Sequence, residues 1–126
     1  MTIRILLVDD HPTVRLGLKM LLEGANDLVI VGEAATAEKA ISIVNSLRPD
    51  VVVIDIDLPD HSGIEAIAAI KEFCPNTAVV VLTIHDDKEY VKNILEVGVS
   101  GFVPKYAAPS ELITAIRSVA RGGTYL

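Results

Sequence analysis

The sequence predicts a doubly wound α/β domain: a five-stranded parallel sheet with helices on both faces. Three observations lead there. Short apolar runs alternate five times with longer segments of amphipathic helical spacing. The runs are apolar throughout rather than at every second residue, the pattern of strands buried on both faces. The chain has 126 residues, 51% hydrophobic and 22% charged, which is the size and composition of one ordinary globular domain.

The elements follow in order. Ile3 to Val8 is continuous and rich in β-branched residues, hence a strand, and Asp9-Asp10 bounds it. Pro12 suits the first turn of a helix that carries Val14, Leu18, Leu21 and Leu22 at helical spacing and stops at Gly24. Leu28 to Val31 is the second strand. Thr36 caps a helix running to about Leu47, with Ala37, Ala40, Ile41 and Val44 inward, and Pro49 ends it. Val51 to Ile54 is the third strand, followed by a loop from Asp55 to Gly63. Ile64 to Phe73 is helical with Ile64, Ile67, Ala68 and Ile70 as its apolar stripe, closed by Pro75. Ala78 to Leu82 is the fourth strand. A helix begins at Asp86 or Asp87 and runs to about Val97, where Gly98 stops it. Gly101 to Val103 is a short fifth strand. Pro109 opens a last helix through Leu112, Ile113, Ile116 and Val119 to Ala120. The apolar ending Thr124-Tyr125-Leu126 is what a longer protein would show where it was cut.

Composition removes several function classes. A single cysteine, Cys74, excludes a disulfide framework and a cysteine-based zinc site, and is expected to serve packing. Apolar runs such as Val51 to Ile54 are too short to span a bilayer, and no secretory signal follows Arg4, so a cytoplasmic location is expected. The formal charge of −6 argues against nucleic-acid binding by this chain alone, since a phosphate-binding face needs clustered Lys and Arg.

In an open α/β sheet, ligands sit beyond the carboxyl ends of the strands. Those positions hold Asp9 and Asp10 after the first strand, Asp55 and then Asp57 after the third, Thr83 and His85 after the fourth, and Lys105 after the fifth. Taken singly, each aspartate reads as a cap or turn former, Thr83 as a strand-end hydroxyl and Lys105 as a solvated amine. Their convergence at one end of four strands is what carries a site. Clustered carboxylates repel one another, and a fold tolerates that when a cation joins them. Few, hard oxygen ligands suit Mg2+, which usually serves a phosphate. A carboxylate beside it can become an aspartyl phosphate, with Lys105 and Thr83 bonding the phosphoryl oxygens. His11, His61 and His85 are not expected to be metal ligands; His11, before Pro12, reads as loop or cap.

These residues also resemble a known family. Leu7-Val8-Asp9-Asp10-His11-Pro12, Val53-Ile54-Asp55-Ile56-Asp57-Leu58-Pro59 with Gly63, Val81-Leu82-Thr83, and Gly98-Val99-Ser100-Gly101-Phe102-Val103-Pro104-Lys105 occur in the order and spacing of receiver domains of bacterial two-component response regulators of the NarL/FixJ family. The resemblance covers the whole chain, and the final helix with Arg121-Gly122-Gly123-Thr124-Tyr125-Leu126 is similar to that family's version. It implies the flavodoxin-like receiver fold with strand order 2-1-3-4-5. It implies that Asp55 accepts a phosphoryl group from a sensor histidine kinase. Asp10 would be the main Mg2+ ligand, Asp9 would act largely through water, and the Asp57 backbone carbonyl would complete the shell. Thr83 would be the switch hydroxyl, Lys105 the phosphate partner, and Phe102 the aromatic that turns inward when Thr83 moves. A homodimer and a C-terminal helix-turn-helix DNA-binding domain, absent from this chain, are further implications.

The sequence departs from the family pattern in places. Ile84 stands where a small residue is usual, and Tyr106 follows Lys105 where Pro or Asp is usual. Pro104 lacks an N–H, which an edge strand tolerates. Asp57, Ile84 and His85 are therefore expected to tune access to Asp55. Two other readings stand beside a non-enzymatic phosphoacceptor. One is a Mg2+-dependent phosphohydrolase with an aspartyl-phosphate intermediate, which 126 residues without a cap domain leave little room for. The other is a phosphorylation-independent interaction domain, against which the intact set Asp9, Asp10, Asp55, Thr83 and Lys105 speaks.

Overall fold

The computed structural model describes residues 2–56, 58, 63–84, 88–105, 107 and 109–126. Strands β1 (Ile3–Val8), β2 (Leu28–Ala34), β3 (Val51–Asp55), β4 (Ala78–Thr83) and β5 (Gly101–Pro104) alternate with helices α1 (Pro12–Glu23), α2 (Ala37–Leu47), α3 (Gly63–Phe73), α4 (Lys88–Glu96) and α5 (Pro109–Ala120). All four strand pairings are parallel and the order is β2-β1-β3-β4-β5, as the family pattern implies.

Because successive side chains of a strand point to opposite faces, each apolar strand feeds two cores. Leu6, Val8, Val52, Ile54, Val79 and Val81 pack on one face with Ala40 and Val44 of α2, Ile67 and Ile70 of α3, and Ile94 of α4. Ile5, Leu7, Val51, Val53, Val80 and Leu82 pack on the other with Leu22 of α1 and Leu112, Ile116 and Val119 of α5. Cys74 is buried in the first of these cores, which bears out its packing role. Thr36 caps α2 through its hydroxyl, which accepts from the Lys39 N–H at 3.2 Å.

Two expectations need correction. The second strand runs on to Ala34, through Gly32 and Glu33, because a bulge at Val31 restores its pairing with β1: Ile5 faces Ile30, and Leu6 faces Gly32. A Cβ on Gly32 would approach Ile43 and Leu6 to 3.3 Å, so the residue is there for close packing rather than to end the strand. In α1, Val14 is 40% exposed, because α1 and α5 leave a cavity of about 560 Å3 between them, lined in part by Val14, Leu18, Leu82 and Leu112. In α3 the inward residues are Gly63, Ala66, Ile67 and Ile70, while Ala68 faces solvent. Beyond α5 the chain returns to the sheet edge: the Phe102 N–H donates to the Tyr125 carbonyl at 2.8 Å, and the Tyr125 N–H to the Ser100 carbonyl at 2.9 Å. The start of the fourth helix at Asp86 or Asp87, and Tyr106, lie outside the described residues.

Candidate functional site

The carboxyl ends of β1, β3, β4 and β5 converge as the sequence requires. Asp9 follows β1, with its N–H donating to the Ala34 carbonyl at 3.0 Å and its own carbonyl accepting from Arg15 Nη1 at 2.7 Å. Asp55 ends β3 and Thr83 ends β4; Asp9, Asp55 and Thr83 are each 1% exposed. Lys105 follows β5, where its N–H donates to the Thr83 carbonyl at 2.9 Å. Lys105 Nζ donates to Asp55 Oδ2 at 2.6 Å and lies 3.6 Å from Asp9 Oδ2. Burial opposes the charge of this amine, but the hydrogen bond to Asp55 and the charges of Asp55 and Asp9 outweigh it and hold its pKa above the ordinary amine value.

Two buried carboxylates against one lysine leave negative charge uncompensated. Asp9 Oδ2 and Asp10 Oδ1 are buried without a hydrogen-bond partner, which is costly unless a cation completes the cluster. Asp9, Asp10, His11 and Asp55 each offer one ligand atom, and these atoms all lie within 4.8 Å of one another. A donor set of carboxylate oxygens with orphaned atoms fits a divalent cation.

His11 is the residue that sequence reasoning left out of the cluster. As N-cap of α1 it is extended, at φ −98° and ψ 108°, and its side chain makes no cap bond. The turn carries its ring back instead, so that Nδ1 stands 3.3 Å from Asp9 Oδ1 and 3.1 Å from Asp10 Oδ1. Its neighbour Pro12 suggested only a helix start. Ile84 is 64% exposed at the rim and Phe102 is half-buried against the core face that holds α2 and α3. Asp57, His61 and His85 lie outside the described residues, and with them the expected metal contact of the Asp57 carbonyl and the access roles of Asp57 and His85.

A parallel sheet ordered β2-β1-β3-β4-β5 with an acidic cluster, a threonine and a lysine at its carboxyl edge defines a class of domain. Residues 5–117 match the response regulator receiver domain, and the chain belongs to that family. It is 39% identical to the transcriptional regulatory protein MctR of Rhizobium johnstonii over 123 residues, covering 98% of this chain and 58% of that protein. Its fold superposes with a TM-score of 0.95 on a LuxR-family two-component response regulator from Aurantimonas sp. SI85-9A1, at 36% identity, covering 100% of this chain and 90% of that one. It superposes at 0.90 on the Salmonella typhimurium response regulator RcsB, in a structure addressing DNA interaction, at 28% identity, covering 98% of this chain and 61% of that one. The chain thus spans little more than half the length of the curated relatives it matches.

Proposed function

We propose that this domain takes a phosphoryl group onto Asp55 from the phosphohistidine of a sensor kinase, with Mg2+ held by Asp9, Asp10 and Asp55, and that it works as a switch rather than an enzyme. The observation that carries this is the 2.6 Å contact of Lys105 with Asp55 beside the orphaned oxygens of Asp9 and Asp10. One Asp55 oxygen would bond to phosphorus as the donor's P–N bond breaks, and the freed imidazole takes up a proton. Lys105 would pass from the carboxylate to the phosphoryl oxygens, since both present the same anionic acceptor to its three N–H donors. Bound Mg2+ would offset the charge that the phosphoryl group brings to this acidic pocket. Thr83, at the adjoining strand end, is placed to bond a phosphoryl oxygen, with Phe102 following it inward.

Several names among the similar proteins refer to transcription or DNA, so the reading extends to the longer protein: phosphorylation would promote a homodimer and thereby switch an attached DNA-binding domain in the cytoplasm. Among the described residues no helix is long and apolar enough to cross a membrane. Incubation with acetyl phosphate and Mg2+, read by intact mass, tests the core of this. The wild type should gain one phosphoryl group only when Mg2+ is present, and Asp55→Asn should gain none. Equal labelling of that variant would refute the assignment.

A further inference from the structure

We propose that Arg15, held by Glu33, is a positioning residue for Asp9 and Asp10, and that it acts through the main chain of the turn between β1 and α1. The inference rests on the cation site proposed above and concerns what keeps that site's carboxylates in place.

The peptide groups on both sides of the Asp9 Cα are pinned. Its N–H donates to the Ala34 carbonyl at 3.0 Å, and its carbonyl accepts from Arg15 Nη1 at 2.7 Å. Arg15 Nε lies 3.4 Å from Glu33 Oε1, and Lys19 Nζ lies 3.6 Å from Glu33 Oε2. Glu33 and Ala34 are consecutive residues of β2. One strand end thus grips Asp9 twice, directly from Ala34 and from Glu33 through Arg15. The planar guanidinium suits this, because its N–H donors point in fixed directions and can serve a carbonyl and a carboxylate together. The Arg15 side chain is 20% exposed, so the bridge is partly withdrawn from water.

The bulge in β2 brings Glu33 to this place. Before it Ile5 faces Ile30, and after it Leu7 faces Glu33. Without the extra residue the register would set Gly32 beside Leu7 and Glu33 beside Val8. Val8 belongs to the face covered by α2 and α3, whereas Leu7 belongs to the face on which α1 packs. The bulge therefore turns Glu33 toward Arg15.

The effect on a cation has a sign that separates positioning from charge. Removing a positive charge beside an acidic pocket strengthens cation binding. Removing a bond that fixes the ligands' main chain weakens it, because ordering them then costs binding free energy.

The test is calorimetric titration of Mg2+ into the wild type, Arg15→Gln, Arg15→Lys, Glu33→Gln and the double variant Arg15→Gln/Glu33→Gln. Arg15→Gln should raise the Mg2+ dissociation constant on the order of tenfold. Arg15→Lys keeps the charge but not the fork, and should raise it by about threefold or more; it carries the test should Arg15→Gln fail to fold. Glu33→Gln should weaken Mg2+ in the wild type and add nothing in the Arg15→Gln background, since the two residues act in one chain of contacts. A merely structural role would lower the melting temperature and leave the constant of the folded protein unchanged. A constant unchanged or tightened by the Arg15 substitutions, or an equal effect of Glu33→Gln in both backgrounds, would overturn the positioning role and leave the cation site standing. Failure of the wild type to bind Mg2+ would overturn this inference and the cation site together.

Discussion

Lys105 is the residue on which the site's charge balance turns. Its pKa is raised, so it stabilises the fold fully below the ordinary lysine value and loses that contribution as pH climbs through the higher folded value. Lys105→Gln should lower stability at neutral pH by about 1 kcal/mol, the amount a partly screened charged hydrogen bond contributes. Chemical denaturation from pH 7 to 11 should show that gap closing above about pH 10.4; a gap constant across the range would remove the ion pair from the explanation. The same charge excess predicts that Mg2+ stabilises the domain. At about tenfold its dissociation constant the gain is about 1.4 kcal/mol, or roughly 3–8 °C in Tm. NaCl at matched ionic strength should give much less, and equal shifts in a thermal melt would argue for screening alone. Asp9, Asp55, Thr83 and Lys105 could be placed from sequence because a strand's end is readable and the sheet brings such ends together. The place of His11 beside Asp9 and Asp10 could not, because it depends on a backbone turn at the helix cap that the neighbouring Pro12 does not reveal.

The elements show why boundaries are harder to read than cores. The alternation of strands and helices follows from apolar runs whose burial is nearly complete, as in Val51 to Ile54. Gly32 and Glu33 hide the second half of β2, because a bulged edge strand admits a glycine that packs against Leu6 and a glutamate that meets Arg15 of α1 at 3.4 Å. The α3 stripe departs from expectation at Ala68 because alanine fits either face and the register depends on where the helix begins. That beginning is Gly63, whose N–H donates to the Ile56 carbonyl at 3.1 Å. A Cβ there would come within 2.3 Å of that carbonyl oxygen and 2.6 Å of Ile56 Cδ1. Gly63→Ala should therefore destabilise the domain by about 1–3 kcal/mol, although alanine is the better helix former. Urea denaturation checks this, and an unchanged midpoint would show that the loop before α3 yields without cost.

At the scale of the whole molecule, the sheet joins the acidic pocket to its far edge. Thr83 ends β4 beside β5, where Phe102 pairs in register with Val81 and the Tyr125 segment closes the edge. A phosphoryl group adds roughly two negative charges and three acceptor oxygens at Asp55. Drawing Thr83 toward it would open space that the half-buried Phe102 ring can fill, a two-state packing change that alters the α4-β5-α5 surface. Sedimentation should show tighter self-association of the beryllofluoride form than of the untreated protein, and Thr83→Ala should lose that difference. Identical association constants in all three samples would contradict the switch while leaving Asp55 as acceptor. The measurement that bears most directly on the account is the position of the phosphoryl group itself. After labelling with acetyl phosphate and Mg2+, borohydride reduction converts an aspartyl phosphate to homoserine, which peptide mass spectrometry locates. The account predicts homoserine at position 55 and nowhere else; phosphate found on His11 or a hydroxyl side chain, with Asp55 unmodified, would contradict it.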